Sequence, residues 1–213
     1  MIPKRIVIFT GGRLGTWALD FLTPDDMLIG ADAGALFLVE HGLKPHIALG
    51  DFDSVTPAQL EYIRETSGET HDYDPIDKDY TDTELAWRLA LSKKPQQIVM
   101  LGALGTRFDH SLANVHLLRM AQQQGIAASI VDEHNCIQLT ADQTKLYNSS
   151  YTYVSLLPLS ERVTGITLTG FQYPLHEASL EIGQSLGISN KLLLEEGQIA
   201  IKQGMLLVIQ SRD

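Results

Sequence analysis

The first 66 residues repeat one pattern: a short apolar strand, a turn carrying Gly or Asp, and a helix. Ile6 to Phe9 runs into Thr10-Gly-Gly-Arg-Leu-Gly15 and a helix over Thr16 to Leu22. Met27 to Ala31 leads through Asp32-Ala-Gly34 into a helix over Ala35 to His41. Ile47 to Leu49 leads through Gly50-Asp-Phe-Asp-Ser54 into a helix that Pro57 opens and that runs to Thr66. Short apolar strands alternating with helices of this size specify a parallel sheet with helices on both faces. In such sheets ligands bind beyond the carboxyl ends of the strands, the edge from which each of these turns emerges.

The pattern continues downstream. Thr81-Asp-Thr-Glu84 reads as a capping box opening a helix to Leu91, with Leu85, Ala86, Leu89 and Ala90 as its buried stripe. Ile98 to Leu101 is a strand, Leu112 to Gln124 a helix closed by Gly125, and Ile126 to Val131 and Cys136 to Leu139 are the last strands of this domain. From about Ala141 the helical periodicity stops. Tyr151 to Leu156, Gly165 to Thr169, Ser179 to Ile182, Gln198 to Ile201 and Met205 to Ile209 are short segments split by Gly, Pro and Asn, the sign of an antiparallel sandwich. The expectation is a Rossmann-like α/β domain with a mostly parallel sheet over residues 1–140, and a β-sandwich over 141–213.

Composition narrows the function. The formal charge of −10 argues against non-specific nucleic-acid binding, which relies on basic surface. It leaves anionic substrates open, because a metal ion inverts local charge. Cys136 is the sole cysteine, so no intrachain disulfide forms and a reducing compartment, the cytoplasm, is expected. The N-terminus has no signal-peptide pattern, and no apolar run approaches the ~20 residues of a membrane helix.

Two acidic stretches stand out. Asp72-Tyr-Asp-Pro-Ile-Asp-Lys-Asp-Tyr-Thr-Asp82 carries five carboxylates around the lone cation Lys78, and Gly50-Asp-Phe-Asp-Ser54 carries Asp51 and Asp53. Carboxylates ~5 Å apart repel by roughly 3 kcal/mol at an effective dielectric of ~20, a strain that solvent, protonation or a cation relieves. An acidic run by itself is ordinarily a solvated loop. Two such loops at one sheet edge, with Lys78 among them, instead suit the halves of a metal–phosphate site. In extended backbone Asp51 and Asp53 would point the same way, ~6–7 Å apart, and share a hard cation such as Mg2+. Asp82 faces that site from the first turn of its helix, beside Asp79; alone it would only complement the helix dipole.

Other residues at this edge have two readings each. Asp32 is placed to take a ribose hydroxyl or to cap the next helix, and capping is the commoner job of an isolated Asp. The glycines after the first strand either admit a phosphate or simply make a tight turn. Gly102-Ala-Leu-Gly-Thr-Arg-Phe-Asp-His110 offers Arg107 as a phosphate fork, against an exposed Arg107–Asp109 pair worth little. His110 reads as a structural donor.

Taken in order, Gly50-Asp-Phe-Asp-Ser54, Asp77-Lys-Asp-Tyr-Thr-Asp82 and Gly102-Ala-Leu-Gly-Thr-Arg-Phe-Asp-His110 resemble thiamine pyrophosphokinases. Gly187-Ile-Ser-Asn190 and the later Gly204-Met-Leu-Leu-Val-Ile209 resemble the second domain of that family. The resemblance implies Mg2+-assisted transfer of a diphosphate from ATP to the thiamine hydroxyl, releasing AMP. It also implies a homodimer whose pocket lies between one subunit's α/β domain and the other's β domain. By that resemblance Asp51, Asp53 and Asp82 hold metal, with Lys78 and Asp79 in the catalytic group. Asp32, Gly102, Thr106 and Arg107 bind nucleotide or phosphate, and Thr81, Asp109, Ser189 and Asn190 line the thiamine pocket.

Two departures stand beside it. The family's Ala-Asp-Gly-Gly turn is Ala31-Asp-Ala-Gly34 here, which is costly if Ala33 needs a positive φ. Met205 to Ile209 also lacks the aromatic that some relatives carry near thiamine. A pyrophosphokinase for another alcohol, such as a pterin, a metal phosphohydrolase and a non-catalytic nucleotide or thiamine sensor are the rival readings.

Overall fold

The computed structural model describes residues 2–73 and 79–213. Two compact units result, Met1–Glu133 and His134–Asp213.

In the first unit the strands β1 (Arg5–Phe9), β2 (Met27–Ala31), β3 (Ile47–Gly50), β4 (Glu69–Asp72), β5 (Gln97–Leu101) and β6 (Ala127–Val131) form a parallel array in the order β4-β3-β2-β1-β5-β6. The helices are α1 (Ala33–Glu40), α2 (Pro57–Thr66), α3 (Asp82–Ser92) and α4 (Phe108–Gln123), with a 3-10 turn over Thr16–Phe21. The chain moves outward from β1 to β4, crosses back to β5, and ends at β6. Right-handed crossovers then put α1 and α2 on one face and α3 and α4 on the other. The packing agrees: α1 lies against α2, β1 and β2, while α3 lies against α4 and spans β1 to β3.

Four local expectations change. The acidic stretch begins on a strand rather than in a loop: β4, of sequence Glu-Thr-His-Asp, has no apolar signal and stays largely solvated as the outer strand of this array. Asp72 therefore ends a strand, and its carboxylate takes Arg64 at 2.8 Å. Only half the expected capping box opens α3: Thr81 Oγ1 accepts from the Glu84 N–H at 3.2 Å, but the Glu84 carboxylate turns to Arg88 at 2.8 Å. The buried stripe of α3 is Ala86, Trp87, Ala90 and Leu91, rotated from the expected one because the large Trp87 ring takes the sheet-facing position. Finally, α4 begins at Phe108, four residues early, with Arg107 at its N-cap and no side-chain cap to mark the start.

In the second unit β7 (Asn135–Thr140), β13 (Leu206–Ser211) and β9 (Tyr153–Pro158) pair antiparallel in that order. Cys136 to Leu139, expected as an α/β-domain strand, is thus partnered by β13. The strands β11 (Ala178–Glu181), β10 (Arg162–Thr169), β12 (Glu196–Ala200) and β8 (Gln143–Tyr147) make a separate antiparallel sheet. Leu146, Leu168 and Ile199 of that sheet share one core with Val154, Leu156, Leu206 and Val208 of the other three strands, which is sandwich packing. Among the described residues no helix is long and apolar enough to cross a membrane.

Candidate active site

Strand order reverses between β1 and β5, and a cleft of about 320 Å³ opens there at the carboxyl edge. Its floor is two glycine turns pressed together. The Gly12 N–H donates to the Gly102 carbonyl at 2.9 Å, and a Cβ on Gly12 would sit 2.0 Å from that oxygen. Gly102 itself has φ +75°, and a Cβ there would meet the Thr10 carbonyl at 2.6 Å. Both glycines are thus required for backbone to touch backbone, whatever the cleft binds.

On one side stand carboxylates. Asp32, Asp51 and Asp53 each offer an oxygen, and the three oxygens lie within 4.8 Å of one another. Asp82, half-buried in the first turn of α3, lines the cleft with Asp32. Burial pushes the Asp32 carboxyl above its ordinary range, the charges of Asp82 and Asp53 push the same way, and the Ser54 hydroxyl opposes them.

The geometry that unites these acids differs from the expected one. β3 ends at Gly50, and Phe52 has φ +54°, so Asp51 and Asp53 do not share a face by strand alternation. The left-handed kink between them folds the turn back, with the Asp53 N–H donating to Asp51 Oδ1 at 3.2 Å. A left-handed non-glycine residue costs roughly 1–3 kcal/mol. Burying the Phe52 ring against Ala35, Val39, Ala48 and Ile63 offsets this by about 1.5–3 kcal/mol.

Asp32 also departs from expectation. It stands at the N-cap position of α1, but its side chain makes no capping bond to the helix. Oδ2 instead accepts from Ser54 Oγ at 2.6 Å, and Oδ1 is buried without a hydrogen-bond partner. Its backbone is the strained one, at φ +50° and ψ −124°. Ala33 opens the helix without a positive φ, so its Cβ carries no such penalty. Gly34 is the residue that tolerates no side chain there, since a Cβ would lie 2.1 Å from the Phe9 carbonyl.

Three all-oxygen donors within reach of one another, one with an orphaned buried oxygen, fit a hard divalent cation. Asp32 is the third member of that set; Asp82, the third metal residue that the family resemblance implies, lines the cleft with Asp32.

The opposite side of the cleft is the β5–α4 loop. Thr106, Arg107 and His110 line it, and Thr81 faces them from the N-cap of α3. The exposed pair forms: Arg107 Nη2 donates to Asp109 Oδ2 at 2.6 Å, holding the Asp109 carboxyl below its usual range. Two residues that sequence reasoning passed over fix this loop. Ser111 Oγ accepts from the Gly105 N–H and donates to the Arg107 carbonyl, both at 3.1 Å. Asn114 is buried and donates to the Ala103 carbonyl at 2.8 Å. Its signal was an amide at helical spacing in the buried stripe of Leu117, Leu118 and Ala121.

Asp79 is exposed, and Lys78, Asp74 and Asp77 lie outside the described residues. In the second unit Ser189 has φ +58°, and its N–H donates to Ser155 Oγ at 3.0 Å. The buried Asn190 side chain clips a turn, accepting from the Tyr173 N–H at 3.0 Å and donating to its carbonyl at 2.7 Å.

An acidic cluster beside a cleft at the reversal point of a parallel sheet marks an α/β enzyme that works at the carboxyl edge of its strands. Residues 19–130 match the family model "Thiamin pyrophosphokinase, catalytic domain", and residues 137–206 match "Thiamin pyrophosphokinase, vitamin B1 binding domain". The thiamine pyrophosphokinase of Bacillus subtilis (strain 168) is 36% identical over 187 residues, 87% of each chain. A solved structure of the Bacillus subtilis protein superposes with a TM-score of 0.91 at 33% identity, covering 99% of this chain and 100% of that one. A thiamin pyrophosphokinase from Geobacillus thermodenitrificans gives 0.87 at 32% identity over 98% of both. The chain belongs to the thiamin pyrophosphokinase family and is an enzyme, a transferase of the kinase kind.

Proposed function

We propose that this enzyme transfers the terminal diphosphate of ATP to the hydroxyl of thiamine, giving thiamine diphosphate and AMP. The observation that carries the reading is the Asp32–Asp51–Asp53 cluster, with its orphaned oxygen, beside a cleft bearing Arg107 in a chain of this family. The thiamine oxygen forms a bond to the β-phosphorus, the bond from that phosphorus to the bridging oxygen breaks, and AMP leaves with the bridging oxygen. The hydroxyl proton passes to a carboxylate of the acidic edge.

Asp32, Asp51 and Asp53 would hold Mg2+, with Asp82 beside Asp32 on the same side of the cleft, placed to join them. The ion supplies charge neutralisation for the phosphates. Arg107 releases Asp109 to grip phosphate oxygens, and Lys78 and Asp79 complete the acidic loop's contribution. Gly102 and Thr106 border the nucleotide in a Rossmann-like crevice. The first unit, Met1–Glu133, serves as the catalytic domain and the second, His134–Asp213, as the thiamine-binding domain of a cytoplasmic homodimer, a division seven residues before the expected one at 140. Thr81, Asp109, Ser189 and Asn190 shape the thiamine pocket, Asn190 by holding the Tyr173 turn.

Phosphorus NMR of protein, ATP, Mg2+ and thiamine tests the reaction. The expected result is AMP together with a new diphosphate ester. AMP formed only with another alcohol, such as a pterin, would reassign the acceptor. Free phosphate would make the protein a hydrolase, and unchanged ATP despite binding would leave a sensor.

A further inference from the structure

Ser54 takes no part in the proposed reaction, yet its hydroxyl ties together the two turns that supply the acids. The β2–α1 turn carries Asp32 and the β3–α2 turn carries Asp51, Asp53 and Ser54. Their backbones meet where the Asp32 N–H donates to the Leu49 carbonyl at 2.9 Å. A side-chain bond joins them as well: Ser54 Oγ donates to Asp32 Oδ2 at 2.6 Å. A serine hydroxyl has a single proton, so this bond commits it, and it occupies one oxygen of a carboxylate that has two. The other, Oδ1, is the buried oxygen without a partner.

From this geometry we infer that Ser54 is a positioning residue for the divalent-cation site. Its hydroxyl fixes the Asp32 carboxylate against the turn that carries Asp51 and Asp53, and leaves Oδ1 without a protein partner. Without that bond the Asp32 carboxylate keeps only a weaker local contact with the Ala33 N–H against the repulsion of two like charges, since its side chain does not cap α1. Bonds from an outer group to a liganding carboxylate are worth about 10–100-fold in metal affinity. The inference rests on the cation reading of the cluster.

Mn2+ binding followed by electron paramagnetic resonance on the full chain tests it, with Ser54→Ala and Ser54→Thr beside the wild type. Ser54→Ala is expected to weaken Mn2+ binding by about 10-fold or more. Ser54→Thr, which keeps the hydroxyl, is expected to restore it. Ser54 is exposed, so both variants are expected to melt with the wild type in EDTA. In turnover, half-saturating Mg2+ is expected to rise for Ser54→Ala while the rate at saturating Mg2+ stays near wild type. Unchanged Mn2+ affinity in Ser54→Ala, with tight wild-type binding, overturns the role of Ser54 and leaves the cation site standing. Weakened affinity that Ser54→Thr does not restore, with a lowered melting point in EDTA, makes Ser54 a turn stabiliser instead. A wild type that binds no Mn2+ removes the cation site and this inference together.

Discussion

Asp32→Asn separates what the acidic cluster does for the fold from what it does for a ligand. In the metal-free protein the Asp32 charge sits within 4.8 Å of oxygens on both Asp51 and Asp53. At that distance each pair repels by about 3.5 kcal/mol at a dielectric of ~20 and about 1 kcal/mol in bulk water. Asp53 is exposed and Asp51 half-buried, so the lower figure governs, and the two pairs together amount to about 2 kcal/mol. An amide keeps an acceptor for Ser54 while losing the charge. Asp32→Asn should therefore stabilise the protein in EDTA by about 2 kcal/mol, which for a chain of this size is a rise of about 4–8 °C in melting temperature.

The pH dependence has a definite sign. The folded-state pKa of Asp32 is raised above its ordinary 3.8, burial being the largest cause, so the folded protein holds that proton more tightly than the unfolded chain does. Its favourable contribution is complete below 3.8 and is lost as pH rises through the raised folded value. The advantage of Asp32→Asn should accordingly be small near pH 3.8 and grow above it. Mg2+ should reverse the ranking at neutral pH, because ligand binding stabilises the wild type by mass action and the amide is the poorer ligand. Scanning calorimetry in EDTA and in Mg2+, at acid and neutral pH, reads all of this. A melting point for Asp32→Asn below wild type in EDTA, or equal Mg2+ shifts for both proteins, refutes the reasoning.

Three further outcomes follow from contacts elsewhere. Arg5 donates to the buried Asp26 carboxylate at 2.7 and 2.6 Å, so Arg5→Ala should cost about 3–5 kcal/mol in urea unfolding, and Arg5→Met with Asp26→Leu far less. Burial would raise Asp26, but the bonds from Arg5 and Thr23 bring it below 3.8; the pair's contribution is thus complete above that value and lost as pH falls through the lowered one, visible as acid unfolding absent from the double variant. Asn190→Ala should cost about 1–3 kcal/mol by leaving the Tyr173 backbone groups unpaired, and should raise the Michaelis constant for thiamine more than that for ATP, which steady-state kinetics checks. Burial pushes the Cys136 thiol up to about 11, so a disulfide reagent at pH 8 should modify it slowly in the native protein and rapidly in urea.

The sheet was legible in the sequence because its strands are short runs of Ile, Val, Leu and Ala buried along most of their length, and such runs have one role in an α/β fold. The elements that escaped lack that signal for physical reasons. β4 needs no apolar residues as the outer strand of its array, β8 buries only Leu146 fully, and the start of α4 has no side-chain cap. The candidate site divides the same way. Its residues could be named from charge and position, since Asp51, Asp53 and Asp82 follow or open regular elements at one edge. How they meet could not, because the backbone rule for their spacing assumes extended residues, and Phe52 and Asp32 are the two non-glycine residues with positive φ in these turns. Propensity argues against both conformations, so neither follows from local sequence. Tertiary contacts impose them: Phe52 through its buried ring, Asp32 through the bonds to Leu49 and Ser54. Local rules thus fail first at the residues that collect negative charge, where the fold sustains both backbone strain and repulsion that a cation would relieve.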